Sequence, residues 1–225
     1  MNKYTIKDYF RMAKVRGWRL PVQYFFQNHL FDIINNTDTH FRLEKKDYSG
    51  SLKDFDKGVL YMSCLTNEVK NALKKIERHL GNKFRNFQFL DLGSGKGKSL
   101  IIYSKLYGDK AKYKSIGIEY YKPLVDVAKA NIQITRKSEQ IQIINDDARF
   151  FKNYIDTNDL IVFLYNPFDK SILIDVLDKL QKLNVFIIYN DPAYDSLVRK
   201  AGFNMIDTKK GPYPNRCINI YHRKH

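Results

Sequence analysis

Between Phe89 and Ile101 the sequence runs FLDLGSGKGKSLI, and two kinds of nucleotide chemistry compete for it. Its end, Gly97-Lys98-Ser99, has the form of a phosphate-clamping loop, which needs a further glycine at position 92. That position is Leu92, and the later apolar run DLIVFLYN ends in Asn166 where a magnesium-positioning acid would be expected. A dinucleotide fingerprint needs its third glycine at position 98, which is Lys98. Both readings fail on spacing. The pattern that fits is acid-x-Gly-x-Gly-x-Gly, from Asp91 to Gly97. Such glycines let the chain turn sharply and bring backbone close to a nucleoside with an amino-acid tail. Asp91 can accept from the ammonium group of that tail. Lys98 and Ser99 then open a helix, where exposed backbone groups count for more than side chains.

Two further acids follow at matching places. Glu119 ends the next apolar run, where its two oxygens can accept from vicinal ribose hydroxyls and would repel a 2′-phosphate. Asp147, in NDDARFF, ends the third run and can accept from an adenine amino group. These residues need elements to position them. From Val59 on, short β-branched runs alternate with amphipathic stretches. Helices are expected at Thr66–His79, from Lys98 to about Tyr107, at 123–135, at 170–182 and near 193–201. Strands are expected at Phe87–Leu92, 114–120, 141–146, 159–166, 184–190, near Met205 and at Cys217–Tyr221. The alternation predicts an α/β fold: a doubly wound, mostly parallel seven-stranded sheet with helices on both faces. The last strands have no long helix between them and should form an antiparallel edge hairpin. Residues 1–58 form an N-terminal helical cap and loop, and 59–225 the binding domain. The cap consists of IKDYFRMAKVRGW and PVQYFFQNHLFDII as two helices, the second after Pro21, then a polar irregular loop. Ligands of such sheets lie outside the carboxyl ends of the strands, where strand order reverses, so Asp91–Gly97, Glu119, Asp147 and Asn166 should converge.

LDLGSGKG, GIEYYKPLVDVAKAN and INDDA resemble motifs of class I S-adenosylmethionine-dependent methyltransferases, in the right order over most of residues 59–225. The resemblance implies S-adenosylmethionine as cofactor, S-adenosylhomocysteine as product and no metal. It assigns cofactor binding to Asp91, Gly93, Ser94, Gly95, Gly97, Glu119, Tyr120, Asp147 and Ala148. Tyr120 would pack against the adenine. GVLYMSCLTNEV is similar to a segment that touches the methionine end, which adds Tyr61 and Ser63; a core aromatic and a turn residue would look the same. Asn166-Pro167-Phe168 resembles the Asn/Asp-Pro-Pro-Phe/Tyr motif of enzymes that methylate amino groups of bases or glutamine. That makes Asn166, Pro167 and Phe168 the catalytic candidates, with one proline where two are usual. Asn166 and Pro167 could also simply end a strand and turn the chain. Tyr165, Tyr189, Asn190 and Asp191 reach the same rim.

The acceptor is a macromolecular nitrogen, a protein amine or a nucleic acid; a small-molecule methyltransferase and a non-catalytic S-adenosylmethionine- or RNA-binding protein are the alternatives. A net charge of +15 with 24 acidic residues favours a polyanion such as RNA or DNA, although compositional bias toward lysine contributes. The five histidines lack metal-ligand spacing; His40, in the cap loop, could visit the site, and ordinary surface or packing roles are favoured for all five. Two cysteines, Cys64 and Cys217, are expected to be reduced thiols in a cytoplasmic protein. No run suits a secretory signal or membrane insertion. RGWRLPVQYFFQNHLFD is similar to the leader of a set of bacterial methyltransferases and is expected to act as a lid or an acceptor-selecting surface.

Overall fold

Short apolar runs become fully buried strands, because a strand covered on both faces has no solvent side to mark with polar residues. They are β1 (Gln88–Leu92), β2 (Ser115–Glu119), β3 (Ile141–Asn145), β4 (Asp159–Leu164), β5 (Asn184–Asn190), β6 (Asn204–Lys210) and β7 (Cys217–Arg223). The structure is a computed structural model, and it describes residues 6–40, 61–211 and 217–224. The seven strands form one sheet in the order β3-β2-β1-β4-β5-β7-β6. β1 to β5 are parallel, whereas β7 runs antiparallel to both β5 and β6. Strand order reverses between β1 and β4, as the alternation of runs and helices implied.

Helices α4 (Thr66–Leu80), α5 (Lys98–Tyr107) and α6 (Lys122–Ile134) cover one face of the sheet. Beneath them Phe89, Ile161, Phe163, Phe186 and Ile188 are almost completely buried. Helices α7 (Lys170–Leu180) and α8 (Asp195–Lys200) cover the other face, over Leu90, Val162, Leu164 and Ile187. Each such side chain contributes about 1.5–3 kcal/mol through burial, so the sheet is the rigid platform for whatever its loops carry.

The cap is built from α1 (Ile6–Arg16), α2 (Arg19–Tyr24), a π-helical turn (Phe25–His29) and α3 (Leu30–Asn35). The second helix thus begins before Pro21, not after it. Proline is tolerated there because donors in a first helical turn have no intrahelical acceptor. Packing does not account for all the cap's aromatics: Phe10, Trp18 and Phe26 are each more than half exposed. After α3 the chain turns at Asn36 in a left-handed conformation (φ 53°). The loop that follows is organised by one carboxylate. Asp32 accepts from Thr37 Oγ1 (2.6 Å), Thr39 N (2.8 Å), Thr39 Oγ1 (2.7 Å), His40 N (3.0 Å) and His40 Nδ1. Burial pushes the Asp32 pKa up, but the bonds from His40, Thr37 and Thr39 outweigh it and hold the carboxyl below its ordinary value. The rest of the polar stretch, and the boundary at 58/59, lie outside the described residues.

Candidate active site

Gly93, Gly95 and Gly97 all have left-handed backbone (φ 79°, 53° and 81°), which carries the chain from β1 into α5 in five residues (93–97). The loop is tied to β2, since Gly93 N and Ser94 N both donate to Ile118 O (2.9 and 3.1 Å). Two glycines also lack room for a side chain. A Cβ on Gly95 would lie 2.2 Å from the Tyr61 ring, and one on Gly93 would lie 2.3 Å from Pro167 Cβ. Tyr61 therefore lies directly on the loop, with its hydroxyl donating to Thr39 O. Pro167 brings the turn after β4 against the same loop. Two motifs far apart in the chain, Asp91–Gly97 and Asn166–Phe168, meet where Pro167 packs on Gly93, 74 positions before it.

Asp91 is buried and Glu119 half-buried, and the Glu119 charge is close enough to disturb Asp91. Burial raises Asp91 most; a bond from Ser99 lowers it and the nearby Glu119 charge raises it, leaving its pKa at about 7. Its Oδ2 accepts from Ser99 Oγ, whereas Oδ1 is buried with no hydrogen-bond partner. Glu119 is also raised by burial, against the opposing pull of backbone donors. Its Oε2 accepts from Gly95 N and its Oε1 from Tyr121 N, both at 2.9 Å. Such a pair favours a cationic ligand with donors to spare. Asp147 is differently placed: Arg149 donates to it from backbone and guanidinium at 2.6–3.1 Å, so its carboxylate is already engaged. Ala148 is buried at the start of the next turn, and Tyr120 stands at the rim, about a third exposed (36%).

The turn after β4 is held in an uncommon conformation. Asn166 has φ 43°, and the Tyr189 hydroxyl donates to its Oδ1 at a long 3.4 Å. A non-glycine residue there is uncommon, and asparagine is among the residues that tolerate it best. Phe168 departs from its sequence assignment: it is 6% exposed and packs in the core with Ile172 and Leu173, so its ring presents no open face to a planar substrate. Tyr189 is buried as well, at 1%. His40 is held inside the cap by Asp32, with its ring 3.9 Å from that of His29, and Ser63 Oγ faces Asn28 rather than the loop. Burial, helped by the His40 charge, lowers His29 to about 4.

The side chains of Lys98 and Ser99 overturn the expectation that their backbone groups count for more. Ser99 Oγ is the partner of Asp91, and Lys98 is the joint between the cap and the loop. Its ammonium donates to Gln27 O (2.7 Å), Cys64 O (2.8 Å) and Asn28 Oδ1, and it lies 4.9 Å from the centre of the Phe31 ring. Gln27 O belongs to the π-helical turn, whose wider hydrogen-bonding leaves carbonyls able to accept from outside. Burial lowers Lys98 to about 8, against the pull of the neighbouring negative groups. Lys96, fully buried, pairs with Asp38 (3.0 Å), while Asn131 of α6 bonds Asp38 N, Asp38 O and Lys96 O. The Gly-x-Gly-x-Gly spacing hid this because both lysines fill positions where any residue satisfies the loop. Lys98→Met should lower stability by about 2–4 kcal/mol, since three acceptors lose a buried charged donor. Chemical denaturation measures this, with Lys105→Met as control. Lys105 bonds Asn35 at the surface and should change stability by less than about 0.5 kcal/mol.

Among the described residues no three histidine, cysteine or acidic side chains come together as a metal site, and no helix is long and apolar enough to cross a membrane. A seven-stranded sheet with this strand order, a glycine loop after β1 and an acid ending β2 is the class I, Rossmann-like methyltransferase fold. Within it, residues 85–194 match the family described as "Putative methyltransferase". Similar solved structures include TrmN from Thermus thermophilus (12% identity, TM-score 0.51, 71% of this chain and 52% of that one). "Putative methyltransferase yhhF" from Escherichia coli is another (18%, 0.51, 69% and 87%). A third is the ribosomal protein L11 methylase from Lactobacillus delbrueckii subsp. bulgaricus (15%, 0.51, 71% and 79%). The chain spans about half of the Thermus protein, 52% of its length. A search of curated proteins found no match.

Proposed function

We propose that the protein is an S-adenosylmethionine-dependent methyltransferase acting on a nitrogen of a macromolecular acceptor, a nucleic acid or a protein amine. The observation that carries this is the contact of Pro167 with Gly93, which sets the Asn166 turn beside the glycine loop. Fold neighbours that carry different names leave the acceptor to be argued from the site.

The residues present suit the cofactor. Asp91 offers an unpartnered buried oxygen for its ammonium group, and Glu119, held by backbone donors that include Gly95 and Tyr121, is the acid placed for a ribose hydroxyl. Ser94 Oγ, also buried without a partner, is a further contact from the loop. Tyr61 would wall the methionine end. Adenine recognition by the Asp147 carboxylate would have to share it with Arg149. Bound S-adenosylmethionine supplies a methyl group on a good sulfonium leaving group, so the protein's task is alignment and exclusion of water. Asn166 Oδ1 would accept from an acceptor N–H and turn the nitrogen lone pair toward the methyl group. The basic surface would draw a polyanionic acceptor to the rim.

The direct test is incubation of a cell extract with labelled S-adenosylmethionine, then nuclease or protease digestion. Label lost on one digestion names the acceptor class, and no macromolecular label would end this reading. A pH series adds a second test. Asp91 keeps its proton up to about 7 when folded, and a cationic ammonium beside it favours the carboxylate. Cofactor affinity should therefore rise with pH up to about 7, with proton release on binding, and Asp91→Asn should flatten the rise. Stability has the opposite sign. Because the folded pKa lies above the ordinary aspartate value of 3.8, the folded state holds the extra proton between them, and the Asp91 contribution falls as pH rises through that window. Calorimetry in buffers of different ionisation enthalpy measures the proton release; none near neutrality would remove Asp91 from the site.

A further inference from the structure

Among the described residues, polar side-chain atoms buried at the carboxyl edge of the sheet without a hydrogen-bond partner include Asp91 Oδ1, Ser94 Oγ, and both Nδ2 and Oδ1 of Asn190. The first two belong to the glycine loop. Asn190 does not; it is the last residue of β5 and is completely buried, at 0% exposure. Its place follows from register. Asp91 pairs with Phe163 and Phe163 with Ile188, and two residues further along β5 the same face carries Asn190. Asn190 follows Tyr189, whose side chain lies on the opposite face of β5 and whose hydroxyl reaches Asn166 Oδ1. The face that carries Asn190 is apolar below it, with Phe186 and Ile188 both fully buried.

An amide in that position works against stability. Each unsatisfied polar group costs about 1–3 kcal/mol, and an apolar side chain of similar shape would avoid the cost. A residue retained against stability at the edge of a site points to a ligand. The pair of orphaned atoms also restricts the ligand's chemistry. An ammonium offers only donors and would leave Nδ2 unsatisfied; a carboxylate offers only acceptors and would leave Oδ1. Both atoms are met by a planar edge with donor and acceptor side by side, which is how asparagine pairs with a purine edge. The chain's net charge of +15 suits the phosphates attached to such an edge.

We propose that Asn190 is a specificity-determining residue that reads the edge of a nucleobase held beside Asn166. This rests on the methyltransferase reading and narrows its acceptor to a nucleic acid. Asp91, at 3% exposure, is nearly as covered as Asn190. The side chains over both must part for ligands to enter.

The test compares the wild type with Asn190→Leu, which keeps the shape and removes both polar atoms. Four short homopolymeric oligoribonucleotides are titrated by fluorescence anisotropy in the presence of saturating S-adenosylhomocysteine, over a range of salt. The wild type should prefer one base, and Asn190→Leu should weaken that preference about 10-fold, the worth of one bidentate pair. The salt dependence should not change, and the variant's melting temperature should be equal or higher. Equal binding of all four by the wild type overturns the proposal, as does a preference that survives Asn190→Leu. A lower melting temperature with the preference intact would make the amide structural. A glutamine peptide that binds at Asn190 where RNA does not would replace the base with a carboxamide. Calorimetry with S-adenosylhomocysteine on both proteins separates the two levels. Cofactor binding with failed base reading sinks only the Asn190 assignment, whereas absent cofactor binding sinks the methyltransferase reading itself.

Discussion

Turnover should fall by about 10²–10³-fold when Asn166 loses its amide, the usual consequence of removing one preorganised polar group from a reacting centre. The choice of variant matters because Asn166 has φ 43°. Alanine there adds backbone strain of about 1–2 kcal/mol, which confuses lost chemistry with a shifted turn. Asn166→Gly adopts the conformation freely and still lacks the amide. Both variants should lose turnover alike, while cofactor affinity stays within about 2-fold, because the lost interaction acts on the acceptor. Asn166→Asp keeps an accepting oxygen and should retain more activity than either. Steady-state kinetics with the labelled extract fraction as acceptor decides it. Full turnover by the glycine variant would reduce Asn166-Pro167 to a turn that ends β4.

Cofactor binding should weaken by about 100-fold or more in Glu119→Ala, the loss of two charge-assisted hydrogen bonds at roughly 1.5–3 kcal/mol each. Glu119→Gln should fare little better. Both oxygens already accept a backbone N–H, from Gly95 and from Tyr121, so the amide NH2 must face one of these donors. The usual isosteric exchange thus loosens the glycine loop as well as losing a ribose acceptor. Titration calorimetry with S-adenosylhomocysteine measures both variants, and circular dichroism confirms that the sheet is intact. Wild-type affinity in Glu119→Ala would mean that the loop holds something other than a ribose.

The strands and helices of the sheet were legible because each carries its own signal. β5 spans the expected 184–190, α5 begins at Lys98 as expected, and the other core elements differ only at their ends. Phe168 was not legible in this sense. Local spacing could place it after β4, but whether its ring faces a pocket or the core depends on α7, which packs over it. The same holds for the cap. Helical periodicity marked its two segments, yet nothing local announced the π-helical turn, or that Asp32 would gather Thr37, Thr39 and His40.

What the sequence determined by itself is the sheet, its doubly wound order and the loop Asp91–Gly97. These depend on residue type and short spacing: β-branched runs, helical periodicity, glycines at alternate positions. Partnership across the chain was left to the tertiary structure. Lys98 looked like the tail of a phosphate loop, and then like a helix start whose backbone counted for more than its side chain. In the fold its ammonium is buried and bonded to Gln27 and Cys64, 71 and 34 positions away. A buried charge needs specific acceptors, and only the folded chain decides which acceptors arrive.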